Sequence, residues 1–190
     1  MRARSLRITA GELKGRVIMA PPSVRATGGK VRQALFNILG SFITGARVLD
    51  GYAGSGALGC EALSRGAAFV AFVDADAEAV IAVRDNLARM GEAVPRTAWR
   101  IVHAQMSRAA RELARVEAPF DVIILDPPYR TDEAKNALNL VVDYAILAAT
   151  GLVAIEHDRR TLLPPDTGSL RRVKQHRYGA TVLSLYEGRT

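Results

Sequence analysis

From Val48 onward, short apolar runs alternate with longer stretches whose apolar residues recur at helical spacing. Arg47-Val-Leu-Asp50, Phe69-Val-Ala-Phe-Val73 and Phe120-Asp-Val-Ile-Ile-Leu125 read as strands, with a weaker one at Trp99-Arg-Ile-Val-His103 and a fifth at Gly151-Leu-Val-Ala-Ile-Glu156. The near-continuous apolar character of 120–125 is what a strand buried on both faces requires. Helical patterns fall at 57–65, 76–90, 106–116 and 132–148, with Gly66 and Gly91 placed as stops. Strand and helix repeated in this way predict an α/β fold, a doubly wound and mostly parallel sheet.

The two ends depart from that alternation. Leu170-Arg-Arg-Val-Lys-Gln and Ala180-Thr-Val-Leu-Ser-Leu-Tyr flank Tyr178-Gly179, which predicts a C-terminal antiparallel hairpin and brings the sheet to seven strands. At the start, Leu6-Arg-Ile-Thr and Leu13-Lys-Gly-Arg-Val-Ile-Met flank Ala10-Gly11 as a second hairpin, and Val31, Ala34, Leu35, Ile38, Leu39 and Phe42 then form one helical apolar stripe, read as core. Pro21-Pro22 is a stiff link. The expected organisation is a small basic extension over 1–46 built onto a domain over 47–190, forming one structural unit.

Composition narrows the class. At 190 residues with 49% hydrophobic content the chain can bury a core without a disulfide or metal, and its single cysteine, Cys60, allows no internal disulfide. No apolar stretch approaches the length of a membrane span, so the expectation is a cytoplasmic protein with no membrane contact. The formal charge of +7 is unevenly spread: +8 over residues 1–47, −6 over 48–158 and +5 over 159–190. Basic flanks around an acidic middle suggest that the flanks grip a polyanion while the centre does something else.

Two motifs carry candidate chemistry. Asp50-Gly-Tyr-Ala-Gly54-Ser-Gly56-Ala-Leu-Gly59 follows a strand and opens a helix, and Asp74 ends the next strand. Glycines there let backbone approach a ligand at the sheet edge, and the acid can accept hydrogen bonds from ribose hydroxyls. NAD and S-adenosylmethionine both fit an acid at that place. The additional acid on the first strand, Asp50, favours the sulfonium cation of S-adenosylmethionine over a pyrophosphate.

The second motif is Asp126-Pro127-Pro128-Tyr129, directly after the strand 120–125. Two prolines remove two N–H donors and stiffen a turn whose carbonyls face outward. An exocyclic amine on a base is a poor nucleophile because its lone pair is delocalised into the ring. Accepting its two hydrogens, with the Asp126 carboxylate and the Pro127 carbonyl, localises that pair on nitrogen. Tyr129 then offers a face on which an extruded base stacks. No metal site is expected, since His103, His157 and His176 lack ligand spacing, and Cys60 reads as a small core side chain. Trp99 reads as edge packing.

Taken together these residues resemble the amino-methyltransferase branch of the class I S-adenosylmethionine-dependent methyltransferases. More narrowly the chain resembles the RsmD family, bacterial enzymes that methylate the 2-amino group of a guanine in small-subunit (16S) ribosomal RNA. The resemblance spans nearly the whole chain, through 6–16, 25–39, 48–67 and 125–129. It implies a Rossmann-like methyltransferase sheet and a cofactor site in which Asp50, Gly54, Ser55 and Gly56 hold the methionine part, Asp74 the ribose and Gln105 the adenine edge, with Tyr52, Ala75 and Thr27 also in contact. It assigns Asp126, Pro127, Pro128 and Tyr129 to the target guanine and Arg16, Arg25, Lys30 and Arg32 to RNA. The implied partner is small-subunit ribosomal RNA, free or within a 30S particle, met by a monomer.

Departures from the family pattern lie in Arg25-Ala26-Thr27, Gly29 and Gln33, where a proline and two acids are usual, and at Gly51, Cys60 and Gln105. They predict a looser lid over cofactor and RNA and leave the methyl-transfer groups in place. Two other readings stay open: methylation of an amino group on another RNA or on DNA, and an RNA-binding assembly factor with an inactive methyltransferase site.

Overall fold

The computed structural model describes residues 4–24, 28–129 and 131–189. Ten strands form, β1 (Arg4–Arg7), β2 (Val17–Ala20), β3 (Arg47–Gly51), β4 (Phe69–Asp74), β5 (Trp99–His103), β6 (Phe120–Leu125), β7 (Leu147–Asp158), β8 (Asp166–Thr167), β9 (Leu170–Tyr178) and β10 (Thr181–Gly188). Five α-helices accompany them, α1 (Gly29–Leu39), α2 (Ala57–Ser64), α3 (Ala77–Met90), α4 (Met106–Val116) and α5 (Glu133–Asp143). The main sheet runs in the order β5-β4-β3-β6-β7-β10-β9-β8. Its first five strands pair in parallel, and β10, β9 and β8 add antiparallel. The seven expected strands are all present; the eighth is a two-residue edge pairing, Asp166↔Arg171 and Thr167↔Leu170, inside what reads as a Pro/Gly-rich loop.

The parallel strands are buried for the reason their sequences suggest. Val48, Leu49, Val122 and Ile123 are fully enclosed, and alternate residues feed two apolar clusters, one on each face of the sheet. One cluster joins Ile8, Leu13, Ile18, Leu35 and Phe36 of the N-terminal extension to Val48, Cys60 and Phe72, so the extension shares its core with the domain.

Three expectations change. The helix expected over 132–148 ends at Asp143, because Ala145 takes a positive φ of 48° and Ile146 and Leu147 pair with Phe120, starting β7 four residues before Gly151. The N-terminal hairpin forms with its first strand shifted to Arg4–Arg7 and its second shortened to Val17–Ala20, and it stands as a separate two-stranded sheet. Residues 8–16 between them give their N–H groups to α2: Thr9 and Ala10 to Glu61, Glu12 to the Ser64 carbonyl and Leu13 to Ser64 Oγ. Gly11, at φ 83°, lies so close to Ser64 that a Cβ would be 1.8 Å from its carbonyl oxygen. Finally, Phe42 is 40% exposed, because α1 gives way to a tighter 3₁₀ turn that buries Ile43 in its stead.

Candidate active site

The chain visits β3, β4 and β5 in one direction and then returns to place β6 on the other side of β3. Between β3 and β6 the winding reverses, which is where open α/β sheets bind ligands, beyond the carboxyl ends of the strands. The pairing of Gly51 with Leu125 sends the glycine loop and Asp126-Pro127-Pro128-Tyr129 out of the sheet side by side.

The glycine loop is shaped mainly by the fold beneath it. Gly54 and Gly56 adopt φ values of 55° and 74°. A Cβ at Gly59 would lie 2.2 Å from the Phe72 ring, so this glycine lets α2 pack on β4. Two acids hold the loop from below and from the side. Asp50, fully buried, accepts from the Gly59 N–H at 2.7 Å, and Asp74 accepts from the Gly54 N–H at 2.8 Å and the Asp76 N–H at 2.9 Å. Burial, above all, pushes the Asp50 carboxyl well above its ordinary range, with Asp126 and Asp74 adding to it. Where the resemblance leads one to expect an aliphatic residue at position 51, Gly51 leaves room for Leu125 Cδ2 and Met106 Sδ.

Above the loop lies a cleft of about 720 Å³ bounded by Tyr52, Asp74, Ala75, Gln105, Met106 and Pro128, with α5 as its far wall. A smaller recess of about 220 Å³ holds Gly54, Asp126 and Val24 and shares Tyr52, Asp74 and Pro128 with the larger one. The Tyr52 hydroxyl donates to Glu133 Oε2 at 2.9 Å, joining the loop to the start of α5. Asp74, Asp76, Glu133 and Asp143 line the cleft, and among the described lining residues there is no Lys or Arg. Such walls repel a pyrophosphate and suit a cationic nucleoside, with Met106 and Leu140 as apolar surface for an adenine.

Next to the recess, the Tyr129 hydroxyl donates to Glu156 Oε1 at 2.5 Å and meets Thr181 Oγ1 at 2.7 Å. β7 and β10 thereby fix its half-buried ring. Pro127 is buried behind the turn and Pro128 stands out at its surface.

The RsmD family, whose model is described as conserved hypothetical protein 95, matches residues 6–187. The chain belongs to the RsmD family. Ribosomal RNA small subunit methyltransferase D of Escherichia coli strain K12 is 37% identical over 175 residues, 89% of this chain and 84% of the relative. The protein of the same name from Haemophilus influenzae is 31% identical over 185 residues, 96% of this chain and 93% of the relative. The solved structure of Escherichia coli yhhF, assigned as a methyltransferase, matches at a TM-score of 0.86 and 30% identity, covering 98% of this chain and 99% of that one. As an RsmD-family methyltransferase the protein takes S-adenosylmethionine as its cofactor, and the acidic, partly apolar cleft fits that group.

In this RsmD-family chain the expected cofactor residues divide into two sets. Tyr52, Gly54, Asp74, Ala75 and Gln105 line the cleft or the recess. Asp50 and Ser55 lie buried beneath, and Gly56 packs toward Val83 and Phe72. Thr27 and Arg25 fall outside the described residues.

The RNA-contact expectation needs correction at Arg32. Its side chain is buried, with Nη2 donating to the Arg7 carbonyl at 2.5 Å and Nε 3.8 Å from Glu61 Oε2, so no phosphate can reach it. Arg16 donates to the Arg89 and Met90 carbonyls at 2.9 and 3.1 Å, capping α3, while Lys30 is exposed in the first turn of α1. Glu133, Glu156 and Thr181 join the site through contacts 27 to 81 residues apart in the chain. Their one local signal is an acid, Glu156, in an otherwise apolar run of the strand beside the one that precedes Asp126.

Proposed function

We propose that this protein transfers a methyl group from S-adenosylmethionine to the exocyclic 2-amino group of a guanine in small-subunit ribosomal RNA. The observation that carries this reading is the β3–β6 pairing, which sets Asp126 and the glycine loop around one recess. The bound cofactor supplies an electrophilic methyl group on a sulfonium. The protein's part is to present the amine. Asp126 and the Pro127 carbonyl accept the two N–H bonds and turn the nitrogen lone pair out of the ring. Tyr129, held through its hydroxyl by Glu156 and Thr181, supports the base from one face. Asp50 and Asp74 act through the loop, keeping its N–H groups and its curvature in place. The names of the relatives support ribosomal RNA as substrate.

The test is Asp126→Ala, assayed with labelled S-adenosylmethionine on unmodified small subunits, with mass mapping of the product nucleotide. Transfer is expected to fall by at least ~10²-fold, the scale on which catalytic positioning acts, while calorimetry shows cofactor binding retained. Full activity in the variant, or a methyl group mapped to adenine, overturns the reading.

A further inference from the structure

Between the segment after the Asp-Pro-Pro-Tyr turn and the end of β7 lies a cavity of about 420 Å³, lined by Thr131, Asp132 and Lys135 on one side and Asp158, Arg160, Thr161 and Leu162 on the other. Leu162 is 90% exposed. An isolated exposed leucine is ordinary on a protein surface. This one differs in how it is held and in what surrounds it. The next residue, Leu163, is buried, and the carbonyls of Leu163, Pro164 and Pro165 accept from Arg172 Nη1, the Tyr186 hydroxyl and the Arg172 N–H at 2.9, 2.8 and 2.7 Å. At the other end Arg159 N–H donates to the Ala180 carbonyl, Arg160 N–H to Asp158 Oδ1 and Thr161 N–H to the Asp158 carbonyl. The turn is therefore pinned on both sides while Leu162 is kept out of the core. Arg159 and Arg160 are exposed, and no hydrogen bond or ion pair engages either guanidinium among the described residues.

We infer that the turn 159–162 is an RNA-docking surface: Arg159 and Arg160 neutralise phosphates of the strand that carries the target base, and Leu162 packs as an apolar wedge against the base next to it. The inference rests on the reading of the Asp126 site as one that takes an extruded base. Pulling a base from its stack leaves a gap, and an apolar side chain delivered beside that gap offsets part of the lost stacking. The cavity places this leucine against the segment that follows Tyr129, where the neighbouring nucleotide must pass. Its two acids are set against three cations, Lys135 and Arg160 in the lining and Arg159 beside it; Asp158 Oδ1 accepts from the Arg160 N–H, and Asp132 lies on the same side as Lys135.

The experiment measures binding of unmodified small-subunit ribosomal RNA as a function of salt, together with methyl transfer, for the wild type, Leu162→Ala, Leu162→Met and the double variant Arg159→Gln/Arg160→Gln. Leu162→Ala should weaken RNA binding about tenfold, the order of one lost base contact, with melting temperature and cofactor affinity unchanged, and Leu162→Met should restore most of it. The double variant should flatten the slope of log K against log salt by ~1.4, two single-strand phosphate contacts. Wild-type affinity in Leu162→Ala, or an unchanged slope in the double variant, overturns the inference. A wild-type protein that binds RNA and loses affinity through these variants, yet transfers no methyl group, leaves the docking surface standing and removes the proposed activity.

Discussion

At the N-terminal end of the chain Arg7, Arg16 and Arg32 give their guanidinium groups to the protein's own carbonyls, at Gly15, at Arg89 and Met90, and at Arg7, with Glu61 beside Arg32. At the other end Arg159 and Arg160 leave theirs exposed beside the cavity that borders the Asp-Pro-Pro-Tyr segment. The two sets of arginines have different uses, and the split is local rather than end by end, since Arg172 near the C-terminus donates to the Leu163 carbonyl and Lys30 near the N-terminus is exposed. What separates them is the neighbourhood. Orphan carbonyls at the end of α3 and a buried carboxylate on α2 claim the first set, whereas the turn after β7 satisfies its backbone without help from its arginine side chains. A basic stretch can thus be internal stitching or a surface for a polyanion, and the charge total does not distinguish them.

The largest break in this contrast is expected at Glu61, the fully buried carboxylate on which the N-terminal loop converges. It accepts from the Thr9 N–H and hydroxyl at 2.9 and 2.6 Å and the Ala10 N–H at 3.1 Å, and pairs with Arg65 Nε at 2.9 Å. Glu61→Leu leaves those donors and the enclosed Arg32 charge without their acceptor. The expected cost is about 3–5 kcal/mol of unfolding free energy, the range for breaking a buried charge network, measured by denaturant titration. A loss under ~1 kcal/mol would mean the N-terminal loop is not held this way, since that is the scale of an exposed pair.

These contacts also show where the sequence stops being legible. β3, β4 and β6 match their expected spans to within a residue because a strand buried on both faces is written locally, as an apolar run, and the edge strand β5, only partly buried, matches its weaker pattern as well. The Asp126 turn and the glycine loop are equally local, and only their adjacency comes from the β3–β6 pairing. The N-terminal hairpin forms, β1 against β2, but its loop is longer than the expected Ala10-Gly11, because Thr9, Ala10 and Leu13 bond to Glu61 and Ser64, some fifty positions away, and no local pattern records those bonds. Arg32 escapes for a related reason. The apolar stripe through Val31 and Leu35 is wider than its spacing suggests, taking in Phe36 as well, and it draws the neighbouring arginine inside. Tyr129 is legible as a motif residue, while its supports, Glu156 and Thr181, lie on strands 27 and 52 residues further along.

A smaller effect tests the capping role of Arg16. Its guanidinium meets two carbonyls at the end of α3, where a cation also complements the helix dipole. Because the residue is exposed, Arg16→Ala should cost only about 0.3–1 kcal/mol, and it should leave the salt dependence of RNA binding unchanged. A flatter salt slope in this variant would return Arg16 to the RNA-contact set and narrow the difference between the two ends.

The smallest expected effect concerns the group that ties down the C-terminal end. His157 on β7 is buried, with Nε2 2.9 Å from Ser184 Oγ on β10 and Nδ1 3.0 Å from the Asp158 carbonyl. A carbonyl can only accept, so the network assigns the proton to Nδ1, and Nε2 accepts from the Ser184 hydroxyl, which itself accepts from Gln175 Nε2 at 3.1 Å. Burial, first of all, lowers the imidazole pKa below its ordinary 6.5, and the charge of Arg172 works in the same direction. The folded protein therefore keeps His157 neutral at a pH where the unfolded chain already binds a proton. Above about pH 7 the two states hold the same number of protons at this site, and stability is at its full value there; as pH falls through 6.5 the unfolded state gains a proton first and stability declines toward the lower folded pKa. His157→Gln removes the titrating group. It should lower the melting temperature at pH 7.5 and make the further loss between pH 7 and pH 5.5 shallower than in the wild type, whereas Arg16→Ala should shift the whole curve without changing its slope. Equal slopes in the wild type and His157→Gln would rule out the neutral imidazole as the C-terminal tie, leaving that end of the sheet held by strand pairing alone.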